Sequence, residues 1–257
     1  MQIYNRISGR GTQSYLRPSD DMLVNGKSLG DIDGYRQLHV SGRGLVSQDP
    51  ELVNVPARAG AFFSYTQDTV REIEVTYQLT GQSSNHLRDI YEELNNHLRG
   101  GLLSIRFIDE PEWEYQAVLS EVESKAEQSL QFVSSFKLVC PDPYKYKNQQ
   151  ESTGKIKLKH ATEVLPETIE ATVTTTTEQI AIVNGSQMIR FIGNYNAGDK
   201  LKITWDRTEI TATVNTVNKL HELKFFDIPE AFYIKDGDTI TGNNLKTDRV
   251  TWRDRRL

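Results

Sequence analysis

Alternation of apolar and polar side chains runs through most of the chain and predicts strands. From Val70 to Leu79, Ile73, Val75, Tyr77 and Leu79 fall on one side and Glu72, Glu74, Thr76 and Gln78 on the other. That period of two belongs to a strand with one buried and one wet face. Met22-Leu23-Val24 runs into Asn25-Gly26, a strong hairpin signal, and Leu38-His39-Val40-Ser41 alternates until Gly42-Arg43-Gly44. Leu102 to Ile108 and Glu114 to Leu119 read as strands around an Asp109-Glu110-Pro111-Glu112 turn, and Leu130 to Val139 as a further strand. Only one segment changes period. After Ser83-Ser84-Asn85, which offer N-cap side chains, Leu87, Ile90, Tyr91, Leu94 and Leu98 recur at helical spacing until Gly100-Gly101, predicting a helix over about 84–99.

The second half has no helical pattern. Short β-branched runs at Ile169 to Thr174, Ile180 to Val183, Met188 to Ile192, Lys200 to Trp205, Ile210 to Val214 and Leu223 to Phe226 are punctuated by Asn184-Gly185, Gly198-Asp199 and Asp236-Gly237-Asp238. Such spacing indicates a β-sandwich or jelly roll. Between the halves stands Cys140-Pro141-Asp142-Pro143-Tyr144-Lys145-Tyr146. Two prolines one residue apart remove ladder donors and force their predecessors out of helical geometry, so a strand ends here and a polar segment follows. The expected organisation is a leader over 1–21, an α+β domain over 22–146 and a β-sandwich over 147–257, mainly β overall.

Two stretches lack either period. Residues 1–21 carry Arg6, Arg10 and Arg17 among small polar residues and read as an extended arm or a disordered leader. Leu45 to Phe63 is interrupted by Pro50, Pro56 and Gly60 and reads as a long irregular loop. A loop of that length in a compact domain usually reaches toward a partner.

Composition narrows the function. A net charge of −5 and a 37% hydrophobic share describe an ordinary globular chain with no overall basic field for nucleic acid. The N-terminus lacks the apolar core of a secretory signal, and no run approaches the ~20 apolar residues of a membrane span. The single cysteine, Cys140, cannot form an intrachain disulfide and reads as a small buried hydrophobe rather than a reactive thiol.

Candidate chemistry is sparse. His39, His86, His97, His160 and His221 are scattered, without the spacing of a zinc site, and there is no nucleophile elbow, P-loop or dinucleotide fingerprint. No catalytic, cofactor-binding or metal-ligating residue is therefore expected. Asp109, Glu110, Glu112 and Glu114 form the one cluster a glycoside hydrolase would use, against which stands a charged hairpin turn. Trp205, Phe225, Phe226, Phe232, Tyr233 and Trp252 would suit a sugar-stacking platform, but more often such residues fill the space between two sheets.

The run from Phe136 to Tyr146 resembles the domain junction of the distal tail protein family of long, non-contractile-tailed phages. In the same order, Val24-Asn25-Gly26-Lys27 is similar to the family's opening hairpin and Ser41-Gly42-Arg43-Gly44 to the segment before its arm-like loop. Asn196 to Leu201, Phe226-Asp227-Ile228-Pro229 and Val250 to Leu257 are similar to its galectin-like carboxy-terminal domain, with Glu230 standing where the family usually has glycine. The resemblance implies a structural, non-enzymatic hub at the virion tail tip, assembled in the host cytoplasm. It implies a homo-hexameric ring that continues the tail tube and contacts the major tail tube protein and the tail-associated tip protein. Receptor-binding or baseplate proteins would sit on the outer domains, and DNA would pass through the channel without specific binding. On this reading Pro141, Asp142, Pro143 and Tyr144 form the interdomain junction, and Val53, Val55 and Phe62 on the loop are the candidate ring contacts. The competing expectations are a carbohydrate-binding sandwich and, behind it, a glycoside hydrolase.

Overall fold

The computed structural model describes residues 4–6, 16–57, 59–124, 129–206 and 209–257, with backbone alone for 4–6, 16 and 17. The chain divides into two compact units, Met1–Lys145 and Tyr146–Arg256. Most of the leader falls outside the described residues; within it, β1 (Tyr4–Arg6) and β2 (Leu16–Pro18) pair antiparallel.

In the first unit, β3 (Met22–Val24), β4 (Lys27–Ser28) and β5 (Tyr35–Ser41) precede a hairpin of β6 (Gln48–Asn54) and β7 (Ala61–Asp68). Then come β8 (Arg71–Thr80), α1 (Ser84–Leu98), β9 (Leu103–Phe107), β10 (Trp113–Val122) and β11 (Gln131–Cys140). The main sheet runs β4-β3-β9-β10-β11-β8-β5. Its centre is the ten-residue antiparallel register of β8 on β11, Arg71 opposite Cys140 through Thr80 opposite Gln131. The expected alternation is borne out, since Ile73, Val75, Tyr77 and Leu79 are buried. The helix starts where Ser83 predicts it: the Ser83 hydroxyl accepts from the His86 N–H. Leu87, Ile90, Leu94 and Leu98 then bury one stripe against the sheet, and Tyr91 stacks on Phe132 at 5.9 Å.

The segment read as an irregular loop is the β6–β7 hairpin, a separate two-stranded ribbon. Pro50 sits within β6 opposite Thr66, which a strand paired on one side tolerates because a missing donor on its free edge costs nothing. Pro56 falls beyond the end of β6, Gly60 has φ +80° just before β7, and the register shifts between Glu51 and Leu52.

The second unit packs two sheets face to face. After β12 (Lys145–Lys147) come β13 (Gln150–Ser152), β14 (Glu163–Val164), β15 (Thr168–Val173), β16 (Thr177–Asn184), β17 (Gln187–Tyr195), β18 (Lys200–Trp205) and β19 (Ile210–Val214). They are followed by β20 (Val217–Asn218), β21 (Ile234–Lys235), β22 (Thr241–Asn243) and β23 (Leu245–Trp252). One sheet is ordered β13-β23-β15-β18-β19-β20 and the other β17-β16-β22. Ile169, Ile203, Ile182, Ile189 and Phe191 fill the interior, with Trp205, Phe232 and Trp252 among them. Leu223 to Phe226 is not the strand its composition suggests. The Asp227 N–H donates to Lys224 O at 2.9 Å to close a turn, and the Asp227 carboxylate takes the Arg190 guanidinium at 2.6 and 2.9 Å. Phe225 and Phe226 therefore stand in water, edge to face at 5.2 Å, rather than in the core.

Cys140 is fully buried, and burial pushes its thiol up to about 12. A thiol reagent at about pH 8 should label the native chain negligibly and one equivalent after denaturation, measured by absorbance or mass. Rapid native labelling would contradict the packing of β11.

Candidate functional site: the arm hairpin and the arginine at its root

The ribbon β6–β7 buries neither face. Cross-strand partners share a face, so the registers Leu52 with Phe63 and Val53 with Phe62 place apolar pairs on opposite sides. All four are exposed, from 46% for Phe62 to 63% for Phe63, and Val55 and Tyr65 are exposed with them. A two-stranded hairpin alone in water is marginal at best, and contiguous exposed apolar residues mark interaction surfaces. Val53, Val55 and Phe62 are thus brought onto one projecting arm. The junction residues lie elsewhere, at its root.

The root is anchored by a buried cation. Arg71 opens β8 in phase with Ile73 and Val75, so its side chain enters the core and is only 2% exposed. Its Nε donates to Pro143 O at 2.9 Å, and one terminal nitrogen donates to Gly42 O at 3.1 Å and Gly44 O at 3.0 Å. The guanidinium also lies 5.6 Å from the centre of the Tyr115 ring. A single side chain thereby ties the entrance of the arm to the Pro-Asp-Pro turn. Gly42 is required there: at φ +85°, a Cβ would stand 1.8 Å from Glu72 O.

Further bonds close the same region. The Thr69 N–H reaches Ser47 O at 3.0 Å, Gln48 Nε2 donates to Asp68 Oδ1 at 2.9 Å, and the Tyr144 hydroxyl reaches Asp68 Oδ2 at 3.4 Å. In the turn itself Asp142 Oδ1 accepts from the Tyr144 N–H at 3.1 Å, while Pro141 is exposed. Arg43 crosses the face of Phe107 at 4.4 Å and grips Asp109 with two nitrogens at 2.7 and 2.8 Å.

The acidic cluster is engaged by basic partners around a turn. Glu110 accepts from Lys145 at 2.8 Å and from the Tyr115 hydroxyl at 2.9 Å; Glu114 accepts from Arg106 at 2.8 Å. Burial alone would raise the Glu110 pKa, but the hydrogen bonds from Lys145 and Tyr115 outweigh it and hold the carboxyl below its usual range. Burial and the neighbouring Glu110 carboxylate push the Tyr115 hydroxyl well above its ordinary value. A lowered carboxyl is the opposite of what a general acid needs. The aromatics do not assemble a platform either, because Trp205, Phe232 and Trp252 stand in the sandwich interior.

Sequence reasoning passed over Arg71, Arg43, Lys145 and Tyr115. The signal for Arg71 was present: a charged residue in register with the apolar face of a strand must find buried acceptors. Which acceptors it finds is set by segments 29 and 72 residues away.

The chain belongs to the family described as phage tail protein RIFT-related domain, whose profile matches residues 24–159. No curated protein matches the chain. Among solved structures it is similar to the Dit protein (gp 19.1) of phage SPP1, described as a paradigm of the hub adsorption apparatus in phages infecting Gram-positive hosts. That likeness has a TM-score of 0.75 at 18% identity and covers 92% of this chain and 99% of that one. It is also similar to a chain of the phage p2 baseplate in its activated conformation with Sr, at TM-score 0.54 and 12% identity over 100% and 98% of the two chains. The same baseplate with Ca gives TM-score 0.54 and 12% identity over 97% and 96%. The resemblance to the distal tail proteins is borne out in family and fold.

Replacing Glu110 with Gln should lower stability by about 1–3 kcal/mol at neutral pH. Because the folded carboxyl titrates below its unfolded value, its contribution is complete above about pH 4.3 and lost as pH falls through the folded pKa. Denaturant unfolding of both proteins should therefore show the difference at pH 7 and convergence in acid.

Proposed function

We propose that this chain is the hub subunit of a phage tail tip. Six copies form a ring that continues the tail tube, with the β6–β7 arm of each subunit laid on its neighbour. The observation that carries this reading is the arm itself, which exposes Leu52, Val53, Phe62, Phe63 and Tyr65 on two faces. Closed rings need heterologous contacts, a projecting element on one subunit meeting a receptive surface on the next. The edge strand β5, paired only with β8 in its sheet, offers such a surface for strand addition. The hub and baseplate roles of the SPP1 and p2 proteins support the same assignment.

In this arrangement the first unit makes the ring and meets the major tail tube protein and the tail-associated tip protein. The turn at Pro141, Asp142, Pro143 and Tyr144 directs the chain toward the galectin-like sandwich, which carries receptor-binding or baseplate proteins. The role is structural and requires no cofactor, and DNA passes through the channel without sequence-specific contacts.

Light scattering of the purified protein across a concentration series should give a particle of six 29.3-kDa chains or a stacked pair of such rings. Replacing the ribbon between Asp49 and Thr66 by a short Gly-Ser turn should give a folded monomer, with circular dichroism and thermal unfolding confirming the fold. An intact ring after that deletion overturns the arm's role.

A further inference from the structure

The acidic average of the chain conceals an uneven distribution. The first unit carries fourteen Lys and Arg against twenty Asp and Glu, whereas the second carries sixteen against fifteen. Three of these sixteen stand in alternation along Lys155-Ile156-Lys157-Leu158-Lys159. Ile156 and Leu158 are buried and the three lysines point outward. The backbone of this segment is held along its length. The Ile156 N–H donates to Asp238 O at 2.8 Å, the Leu158 N–H to Asp236 Oδ1 at 2.9 Å, and Trp252 Nε1 to Lys157 O at 3.3 Å. Beyond it the fully buried Asp254 carboxylate takes the N–H groups of Lys159, His160 and Ala161 at 2.9 to 3.0 Å. A row of ammonium groups is thus presented on a pre-formed extended segment.

Among the described residues, none of these three ammonium groups is held in an ion pair. They border an open cavity of about 840 Å³ that Lys147 also lines. The two carboxylates on its wall are already engaged, Glu151 by Arg249 Nε at 2.8 Å and Asp236 by the Leu158 N–H. Four lysines line the cavity against two carboxylates, so the site is net positive, and it is organised before any ligand arrives.

We propose that this lysine row and its cavity bind a linear phosphodiester polymer. Outward residues on an extended strand repeat every ~6.6 Å, a period that successive phosphates of a stretched phosphodiester chain can follow. Lysine supplies point charges suited to phosphate, whereas planar carboxylates are better gripped by the arginine fork, which this row lacks. Trp252, the only aromatic side chain of the wall, is buried, so no ring is available to stack a base and the backbone alone is read. The polymer's source is either a single-stranded nucleic acid or a polyol-phosphate chain. The proposal concerns the second unit and does not depend on ring formation.

The test is fluorescence anisotropy or calorimetry of the full chain with three probes: oligothymidylate, poly(glycerol phosphate) and poly-glutamate. Three or four phosphate contacts predict that affinity falls about 20- to 50-fold between 50 and 200 mM salt. The triple variant K155Q/K157Q/K159Q should melt like the parent, because all three side chains face water, yet bind at least about tenfold more weakly with a flatter salt slope. Binding of one phosphodiester probe but not the other assigns the source. Equal binding of poly-glutamate, no binding of either phosphodiester at low salt, or an unaffected triple variant overturns the proposal.

Discussion

A guanidinium buried at the first position of β8 must have acceptors around it, and Arg71 takes them from the Gly42 and Gly44 carbonyls just before the arm and from the Pro143 carbonyl of the proline turn. Withdrawing a cation from water costs several kcal/mol unless its protons are bonded, so Nε and one terminal nitrogen constrain Pro143, Gly42 and Gly44 mutually, while the other terminal nitrogen is buried without a hydrogen-bond partner among the described residues. Gly42 is pressed against Glu72 O, and the turn after β11 is fixed relative to β8. The arm and the turn after β11 therefore share one anchor.

Around that anchor the charges make a small network. Arg43 with Asp109 and Lys145 with Glu110 and Tyr115 occupy the turn between β9 and β10 and the end of the junction. Their joint effect is rigidity at the base of the arm, while Leu52, Val53 and Phe63 on the arm are exposed. A stiff base lowers the ordering cost of any association an exposed ribbon enters, because the element is already oriented. In the second unit, likewise, Asp254 and Asp236 hold an extended segment whose lysines face the solvent.

Phe225 and Phe226 show how a local reading can fail. Four apolar or long side chains from Leu223 to Phe226 have strand composition, but Arg190 clamps Asp227 and the chain turns instead. The ion pair is formed with a residue 37 positions away, and it decides the conformation over the propensity of the aromatics.

The sequence by itself determined the mainly β class, the half-buried strands, the single helix with its Ser83 cap and the family to which the chain belongs. Those features are legible because burying one face of a strand or helix imprints a period of two or 3.6 on neighbouring residues. The arm left no such imprint: a ribbon that buries neither face has no reason to alternate, so Pro50, Pro56 and Gly60 dominated its appearance and a hairpin read as a loop. Nor did the local pattern show that Asp109, Glu110 and Glu114 are paired with Arg43, Lys145 and Arg106, or that Lys155, Lys157 and Lys159 form an outward row beside a cavity. Those outcomes rest on contacts between segments far apart in the chain, which only the folded sheets bring together.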